Sequence, residues 1–172
     1  MKDSYRAGVE LTLAAQVCKR LVWRANAAIS RNKLRNFTEQ VDAYDADFNW
    51  VGQQAITYTE SDLPYSPSVI AGSELAFRVW EKEGHSHADL TLVSKYVSEQ
   101  YLDLSASADR MLDAYLVNDV RANVTLWAKG TRGIDLNLTV RNIFSELYES
   151  NGWVYSYVYD GARCLLYTSR CV

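Results

Sequence analysis

The chain begins with a segment in which apolar and polar side chains alternate. Between Tyr5 and Gln16 the odd positions are apolar or aromatic, and the even positions are polar or small. Successive side chains of a β-strand point to opposite faces, whereas a helix would scatter these residues around its circumference. The pattern therefore predicts a long strand with one apolar face and one polar face.

The same alternation returns along most of the chain. It predicts further strands over about Leu21–Asn32, Pro67–Trp80, Ala88–Tyr101, Leu112–Ala128 and from about Ile134. Segments this long exceed the ~5–6 residues of strands in ordinary globular sheets. We therefore expect an all-β fold, an antiparallel up-and-down meander of about six long strands that forms part of a transmembrane β-barrel.

The connections between these strands alternate in length. Short turns are expected at Val17–Arg20, Glu81–His87 and Lys129–Gly133. Longer connections are expected at Asn36–Ser66, with a short strand at Ala55–Thr59 inside it, and at about Leu102–Arg110. Outer-membrane barrels have short turns on the periplasmic side and long loops on the extracellular side. The connections thus favour the same class of protein as the strands.

Composition adds little to the choice between classes of protein. With 48% hydrophobic residues among 172, wholesale disorder is excluded, and a net charge of −3 predicts no nucleic-acid partner. The chain has no run of 18 apolar residues and hence no predicted membrane-spanning helix, but barrel strands need only ~9–11 alternating residues. Trp23, Trp80 and Trp127 fall near the short turns, which predicts an aromatic belt at the periplasmic interface.

Five segments together resemble the TonB-dependent outer-membrane receptors. LTVRNIFSELYESNGW is similar to their penultimate strand and the loop after it, with Asn142, Phe144 and Tyr148 at the patterned positions. DSYRAGVELTL resembles the strand of that family that carries Arg, Gly and Glu. Three more segments resemble strands that lie between these two in the family: YSPSVIAGSELAF, LVSKYVSEQY and LDAYLVNDVRANVTL. The resemblance covers about residues 3–161, nearly the whole chain.

The resemblance implies a function and a location. It implies a 22-stranded barrel in the outer membrane of a Gram-negative bacterium, filled by an N-terminal plug, that takes up a ferric siderophore or a similar scarce nutrient with energy from the TonB complex. Partners are then outer-membrane lipid, the plug, the TonB complex and a small ligand. We expect no enzymatic activity, no cofactor and no metal site.

The ends of the chain depart from the family pattern. The N-terminal residues do not resemble a secretory signal, so either the membrane assignment is wrong or Met1 is an internal methionine of a longer chain. Plug, TonB box and closing strand are not recognisable. We expect residues 1–161 to be the C-terminal part of a receptor barrel, inactive on its own, and residues 162–172 to be a non-native tail that breaks the alternation.

Candidate site residues are few. Trp153, Tyr155, Tyr157 and Tyr159 lie in SNGWVYSYVYDG, where they either stack on a ligand at the extracellular mouth or form an aromatic girdle. Asp42, Asp45 and Asp47 could attract a cation, but the calcium-loop pattern is incomplete and a solvated acidic loop is the simpler interpretation. His85 and His87, and the three cysteines, have no metal or redox spacing.

Polar residues of the strands have a simpler role. We expect seven charged residues of the barrel lumen to bond to one another, to water or to the plug: Arg6, Glu10, Glu74, Arg78, Asp119, Arg121 and Arg141.

The alternative class of protein is a soluble β-sandwich that binds carbohydrate through its exposed aromatic side chains. Two sheets packed about 10 Å apart would indicate that alternative.

Overall fold

The alternating segments form strands in the computed structural model, which describes residues 4–82, 86–127 and 133–171. Eleven strands follow one another, with a 3-10 turn at Ala108–Arg110 between β6 and β7. They are β1 (Ser4–Cys18), β2 (Leu21–Tyr44), β3 (Trp50–Asp62), β4 (Val69–Lys82), β5 (Ser86–Val97), β6 (Gln100–Tyr101), β7 (Met111–Leu112), β8 (Tyr115–Trp127), β9 (Gly133–Val140), β10 (Glu149–Tyr159) and β11 (Ala162–Cys171).

Nine of these strands make one curled sheet, as the all-β prediction requires. Its order is β11-β10-β2-β4-β5-β8-β9, and β1 and β3 also pair with β2. The other two strands, β6 and β7, form a small sheet of their own. Within the described residues this small sheet is no counterpart to the large one, so the face-to-face layers of a sandwich are not found.

The longest strand, β2, organises the sheet. Its first part pairs with β1 on one edge and with β4 on the other, and its second part pairs with β3. Lys33 and Leu34 pair with both β1 and β3, so β3 lies on the same edge of β2 as β4. Between the end of β3 and the start of β4, two backbone hydrogen bonds continue the pairing with β2. The Ser30 N–H donates to the Ser68 carbonyl at 2.8 Å, and the Leu63 N–H donates to the Asn32 carbonyl at 3.0 Å. β3 and β4 therefore follow β2 along most of its length.

The predicted loop at Asn36–Ser66 is wrong over most of its length, because β2 continues to Tyr44 and returns as β3. Both faces of the hairpin mix polar and apolar residues, with Leu34 and Val41 buried, so no continuous apolar alternation marks it. The short strand expected at Ala55–Thr59 lies within β3. The cross-strand contacts of the hairpin join Lys33 to Asp62 at 2.9 Å and Arg35 to Glu60 at 3.1 Å. Paired charges stabilise a strand pair that has few apolar residues to bury, and hydrophobic periodicity does not detect them.

One further expectation requires correction. The sheet is mixed rather than a purely antiparallel meander of about six strands, because β10 runs parallel to β2 over Tyr157–Tyr159. Residues 162–171 form β11 and pair with β10 from Tyr159↔Ala162 onward. That residues 162–172 are non-native stays a prediction.

One face of the sheet is apolar and exposed. The register aligns apolar residues of six strands on this face: Val9, Leu11 and Leu13; Ala25, Ala27 and Ile29; Leu75 and Phe77; Leu90 and Leu92; Leu116, Val120 and Ala122; Leu136 and Leu138. Leu11 is 58% exposed and Leu138 66%. Soluble proteins rarely expose contiguous apolar patches of more than a few hundred Å². The large sheet thus leaves a wide apolar face uncovered.

The opposite face is polar and internally paired. Arg24 and Glu74 form a cross-strand ion pair at 2.8 Å, and Arg78 binds Asp89 with two nitrogens. Thr125 donates to Asp135 at 2.6 Å on the β8–β9 pair. The expectation that strand charges bond to one another is confirmed for Glu74 and Arg78. Asp119 accepts instead from the backbone of Asn142, at 2.8 Å.

The short connections lie at one end of the sheet, where the strands turn. The turn at Lys19–Arg20 joins β1 to β2, and the β4–β5 and β8–β9 connections leave at the same end, although residues 83–85 and 128–132 lie outside the described part. Trp23 and Trp80 lie near this end, as expected, and Trp80 is 41% exposed. The side chain of Trp127 is not described. In the described ranges no helix is long and apolar enough to cross a membrane.

Candidate functional site

An aromatic row lies on one face of β10, at the sheet end opposite the short turns. Trp153, Tyr155 and Tyr157 share this face because they are two residues apart on a strand. The ring centroids of Trp153 and Tyr155 are 6.1 Å apart, those of Tyr155 and Tyr157 6.0 Å, and the planes are near parallel. The structure thus brings the three predicted ligand-contacting residues together, on a strand rather than in a loop.

The carboxylate of Asp42 connects this row to the β2–β3 hairpin. It accepts hydrogen bonds from Gln53 Nε2 at 3.1 Å, Trp50 Nε1 at 3.4 Å and the Tyr155 hydroxyl at 3.1 Å. These donors, Gln53 first, stabilise the ionised form and hold the pKa of Asp42 below its ordinary value. The Asp42 carboxylate is therefore charged, and it accepts from groups on two other strands, β3 and β10.

The hydroxyl of Tyr155 responds to the same contact in the opposite direction. Its hydrogen bond to Asp42 is the main reason that its pKa rises from 10 to about 12. A tyrosinate next to an ionised carboxylate would lose its proton donation and add a like charge. Tyr155 is therefore a neutral donor at physiological pH, and it is 36% exposed.

The tip of the β2–β3 hairpin adds aromatic rings that the sequence did not single out. Phe48 packs against Tyr159 at 4.4 Å between centroids, and Tyr44 meets Tyr157 edge-on at 6.1 Å. The Tyr159 hydroxyl donates to the Ala46 carbonyl at 2.9 Å. We call this set the aromatic cluster: Tyr44, Phe48, Trp50, Trp153, Tyr155, Tyr157 and Tyr159. The β2–β3 hairpin brings Tyr44, Phe48 and Trp50 next to β10. The cluster therefore depends on the pairing of β2 with β3 and with β10, which the sequence pattern does not show.

The three acidic residues of the hairpin, Asp42, Asp45 and Asp47, have different surroundings. Asp45 accepts backbone hydrogen bonds from Asp47 and Asn49 at 2.9 and 2.8 Å, which fixes the turn. The bonds from Asn49 are the main reason that the pKa of Asp45 is lowered. Asp42 is engaged as described above, and the described residues contain no group of three or more His, Cys, Asp or Glu suited to a metal. The solvated-loop interpretation fits Asp45 and Asp47.

The other face of β10 contacts a partly buried polar network. Ser156 accepts from Arg110 at 2.9 Å, and Arg110 pairs with Asp103. Arg163 donates to the Tyr58 hydroxyl at 2.7 Å and to Glu39 at 3.2 Å. Burial alone would raise the pKa of Asp103, but bonds from Ser105 and Arg110 outweigh it and lower that pKa. These contacts join β10 and β11 to β2, β3 and the β5–β8 connection.

Close packing at Gly152 brings β10 against that connection. A Cβ atom at this position would lie 3.2 Å from two methyl carbons of Leu102 and 3.3 Å from one of Leu112. Both leucines are buried, at 4% and 0% exposure. A side chain at position 152 would press on both leucines, so glycine suits the close approach of β10 to the β5–β8 connection.

The histidine and cysteine candidates form no metal-binding group among the described residues. His87 lies 3.6 Å from Asp89, and His85 is outside the described residues. Cys18 and Cys164 are free thiols. The aromatic cluster thus stays the best-built candidate site: it offers exposed rings for stacking and one tyrosine and one carboxylate for hydrogen bonding.

Comparison with known proteins gives no relative to set beside this arrangement. No protein-family model, no curated protein and no solved structure matches the chain.

Proposed function

We propose that the chain forms part of the barrel wall of a TonB-dependent receptor in the outer membrane of a Gram-negative bacterium. The observation that carries the proposal is the polarity of the large sheet, which exposes its apolar face across six strands and pairs its charges on the other. Water does not favour such a face, whereas hydrocarbon does. The five sequence segments that resemble the family supply the rest of the proposal.

The dimensions of the apolar face support a membrane-spanning wall. Apolar residues of β8 extend from Leu116 to Leu126. At about 3.3 Å per residue and a tilt of about 40° this segment covers roughly 25 Å along the membrane normal, the height of the apolar band of outer-membrane barrels. The sheet has short turns at one end and long connections at the other, as outer-membrane barrels do.

The aromatic cluster fits the outer mouth of such a barrel. It lies at the end opposite the short turns, on the extracellular side in this proposal, and Trp153, Tyr155 and Tyr157 would contact a ferric siderophore or similar nutrient. Exposed rings stack on flat or apolar parts of a ligand, and Asp42 and Tyr155 bind its polar groups. A plug and the TonB complex would supply energy coupling.

The proposal is tested in cells that carry the complete gene. We expect the protein to fractionate with the outer membrane, and its deletion to abolish energy-dependent uptake of one iron-labelled ferric siderophore from a panel. A strain without TonB is the control, because uptake by simple leakage would survive there. Recovery of the protein in the soluble fraction would contradict the membrane assignment, and unchanged uptake of the whole panel would contradict the iron-transport role.

A further inference from the structure

The two segments that build the aromatic cluster carry negative charge only. Residues 36–60 contain five acidic residues, residues 142–162 contain three more, and neither segment contains a lysine or an arginine. Arg163 pairs with Val158 in the register, so its side chain lies on the opposite face of β10 from the aromatic row, where it donates to Tyr58 and Glu39. Both segments therefore present negative charge to a ligand at the aromatic cluster.

Asp42 brings one of these charges into the cluster itself. All three of its hydrogen-bond donors are neutral groups: the Gln53 amide, the Trp50 indole and the Tyr155 hydroxyl. Neutral donors favour the ionised carboxylate but do not cancel its charge. Among the described residues, no lysine or arginine is among the groups that shift the pKa of Asp42 or of Tyr155. The negative charge of Asp42 is thus open to a ligand beside the rings.

The rings around Asp42 attract the same sign of charge as the carboxylate does. Phe48, Trp50 and Trp153 are each more than half exposed. The side chains of Trp50 and Tyr155 reach the carboxylate directly, and the Trp153 ring is 6.1 Å from that of Tyr155. The face of an aromatic ring is negative because of its quadrupole, and it attracts an ammonium group within about 6 Å of its centroid. The carboxylate and the ring faces therefore favour one ligand group.

We propose that the aromatic cluster binds its ligand through a positively charged ammonium group, which contacts the Asp42 carboxylate and the rings of Tyr155 and Trp153. The inference rests on the proposed function, which assigns ligand binding to these rings, and it narrows the nutrient to a neutral or cationic complex that carries an amine. An anionic ferric complex, such as a tris-catecholate, would be repelled by Asp42 and by the acidic residues around it.

The test is a titration of the folded full chain in detergent micelles with choline, followed by NMR of ring-labelled tryptophan and tyrosine. The matched neutral probe is the carbon isostere of choline, in which a tert-butyl group replaces the trimethylammonium group. We expect saturable shifts at Trp153 and Tyr155 with choline, and much weaker binding of the isostere. Asp42→Asn keeps the shape of the side chain and removes its charge, so it should weaken choline binding by about 10-fold.

Asp47→Asn is the matched control variant. It removes the same charge from an exposed position in the turn of the same hairpin, where solvent and salt screen it. We expect it to change choline affinity by less than about 2-fold. Equal affinities for choline and the isostere would overturn the proposal, as would an unchanged choline affinity in Asp42→Asn.

A second variant covers the case in which Asp42→Asn does not give a folded spectrum. Trp153→Leu leaves the three donors of Asp42 in place and removes one ring of the row. It should weaken choline binding by about 3-fold, the effect of one exposed cation–π contact. An unchanged affinity in this variant would also count against the site.

The uptake experiment separates this inference from the receptor assignment. Uptake of an anionic ferric tris-catecholate through the protein, with no binding of choline, would overturn the inference and leave the receptor assignment standing. Saturable choline binding that Asp42→Asn weakens, with unchanged uptake of every ferric complex, would support the cation site and contradict iron transport.

Discussion

Asp42 is the residue through which β2, β3 and β10 share one hydrogen-bonded cluster. Its carboxylate accepts from Gln53, Trp50 and Tyr155. The sequence named Trp153, Tyr155 and Tyr157 as candidate ligand contacts, but it placed Asp42 in an acidic loop. The partnership across more than a hundred residues depends on the parallel pairing of β10 with β2, which no local pattern encodes.

The coupling between Asp42 and Tyr155 gives a titration prediction. The pKa of Tyr155 is raised to about 12, so its neutral form stabilises the cluster fully below pH 10, and this stabilisation is lost as the pH rises through 12. Replacing Asp42→Asn removes the charge and should return the Tyr155 pKa toward 10. NMR of ring-labelled tyrosine measures both values. An unchanged pKa in the variant would show that Asp42 is not the cause.

A second prediction at the residue scale concerns the apolar face. Leu138 is 66% exposed on β9, and its neighbour Asn137 points to the polar face. In lipid bilayers, Leu138→Arg should cost about 2–4 kcal/mol of folding free energy, the typical value for a charge on the lipid face of a barrel. Denaturant titration in liposomes measures it.

Asn137→Arg is the matched control for that prediction. The same side chain placed on the polar face should cost less than about 1 kcal/mol, since lumen positions tolerate charge. Equal costs at the two positions would mean that the faces do not differ in environment. A cost that is larger at Asn137 would reverse the assignment of the faces.

At the scale of elements, alternation predicts strands only where one face is apolar. The starts of β2 and β9 agree with the prediction within a residue, because Trp23, Ala25 and Leu136 follow the two-residue rhythm. The rhythm stops at Asn32, yet β2 continues through paired charges such as Arg35 with Glu60. Opposite charges at matching distances from a turn were the sequence signal that could have revealed this hairpin.

The docking of β10 gives a prediction at the same scale. Gly152→Val would place methyl groups against Leu102 and Leu112, which are buried and have little room to shift. Overpacking of this kind typically costs about 1–3 kcal/mol. We expect faster hydrogen exchange across β10 and β11 and weaker stacking of the aromatic cluster. Ser150→Val, an exposed site on the same strand, should leave exchange unchanged; equal effects would contradict the close-packing argument.

At the scale of the whole molecule, the exposed apolar face and the unpaired edge strands determine whether chains associate. Within the described residues β1 pairs only with β2, and β9 only with β8. Unpaired edges next to an exposed apolar face favour association of chains in water and further strand pairing in a membrane. The strand class and the two-faced polarity followed from the sequence, whereas the mixed pairing of β10 did not, because it joins residues that are distant along the chain.

The most direct test of the lipid-facing assignment is a nitroxide scan along β9 in lipid bilayers. Cys18, Cys164 and Cys171 are first replaced by serine, and single labels are then placed at each residue from Ile134 to Val140. We expect high oxygen accessibility at the even positions, which lie on the apolar face, and high accessibility to a water-soluble nickel chelate at the odd positions. A flat profile, the opposite phase, or immobilised labels at the even positions would contradict a lipid-facing wall.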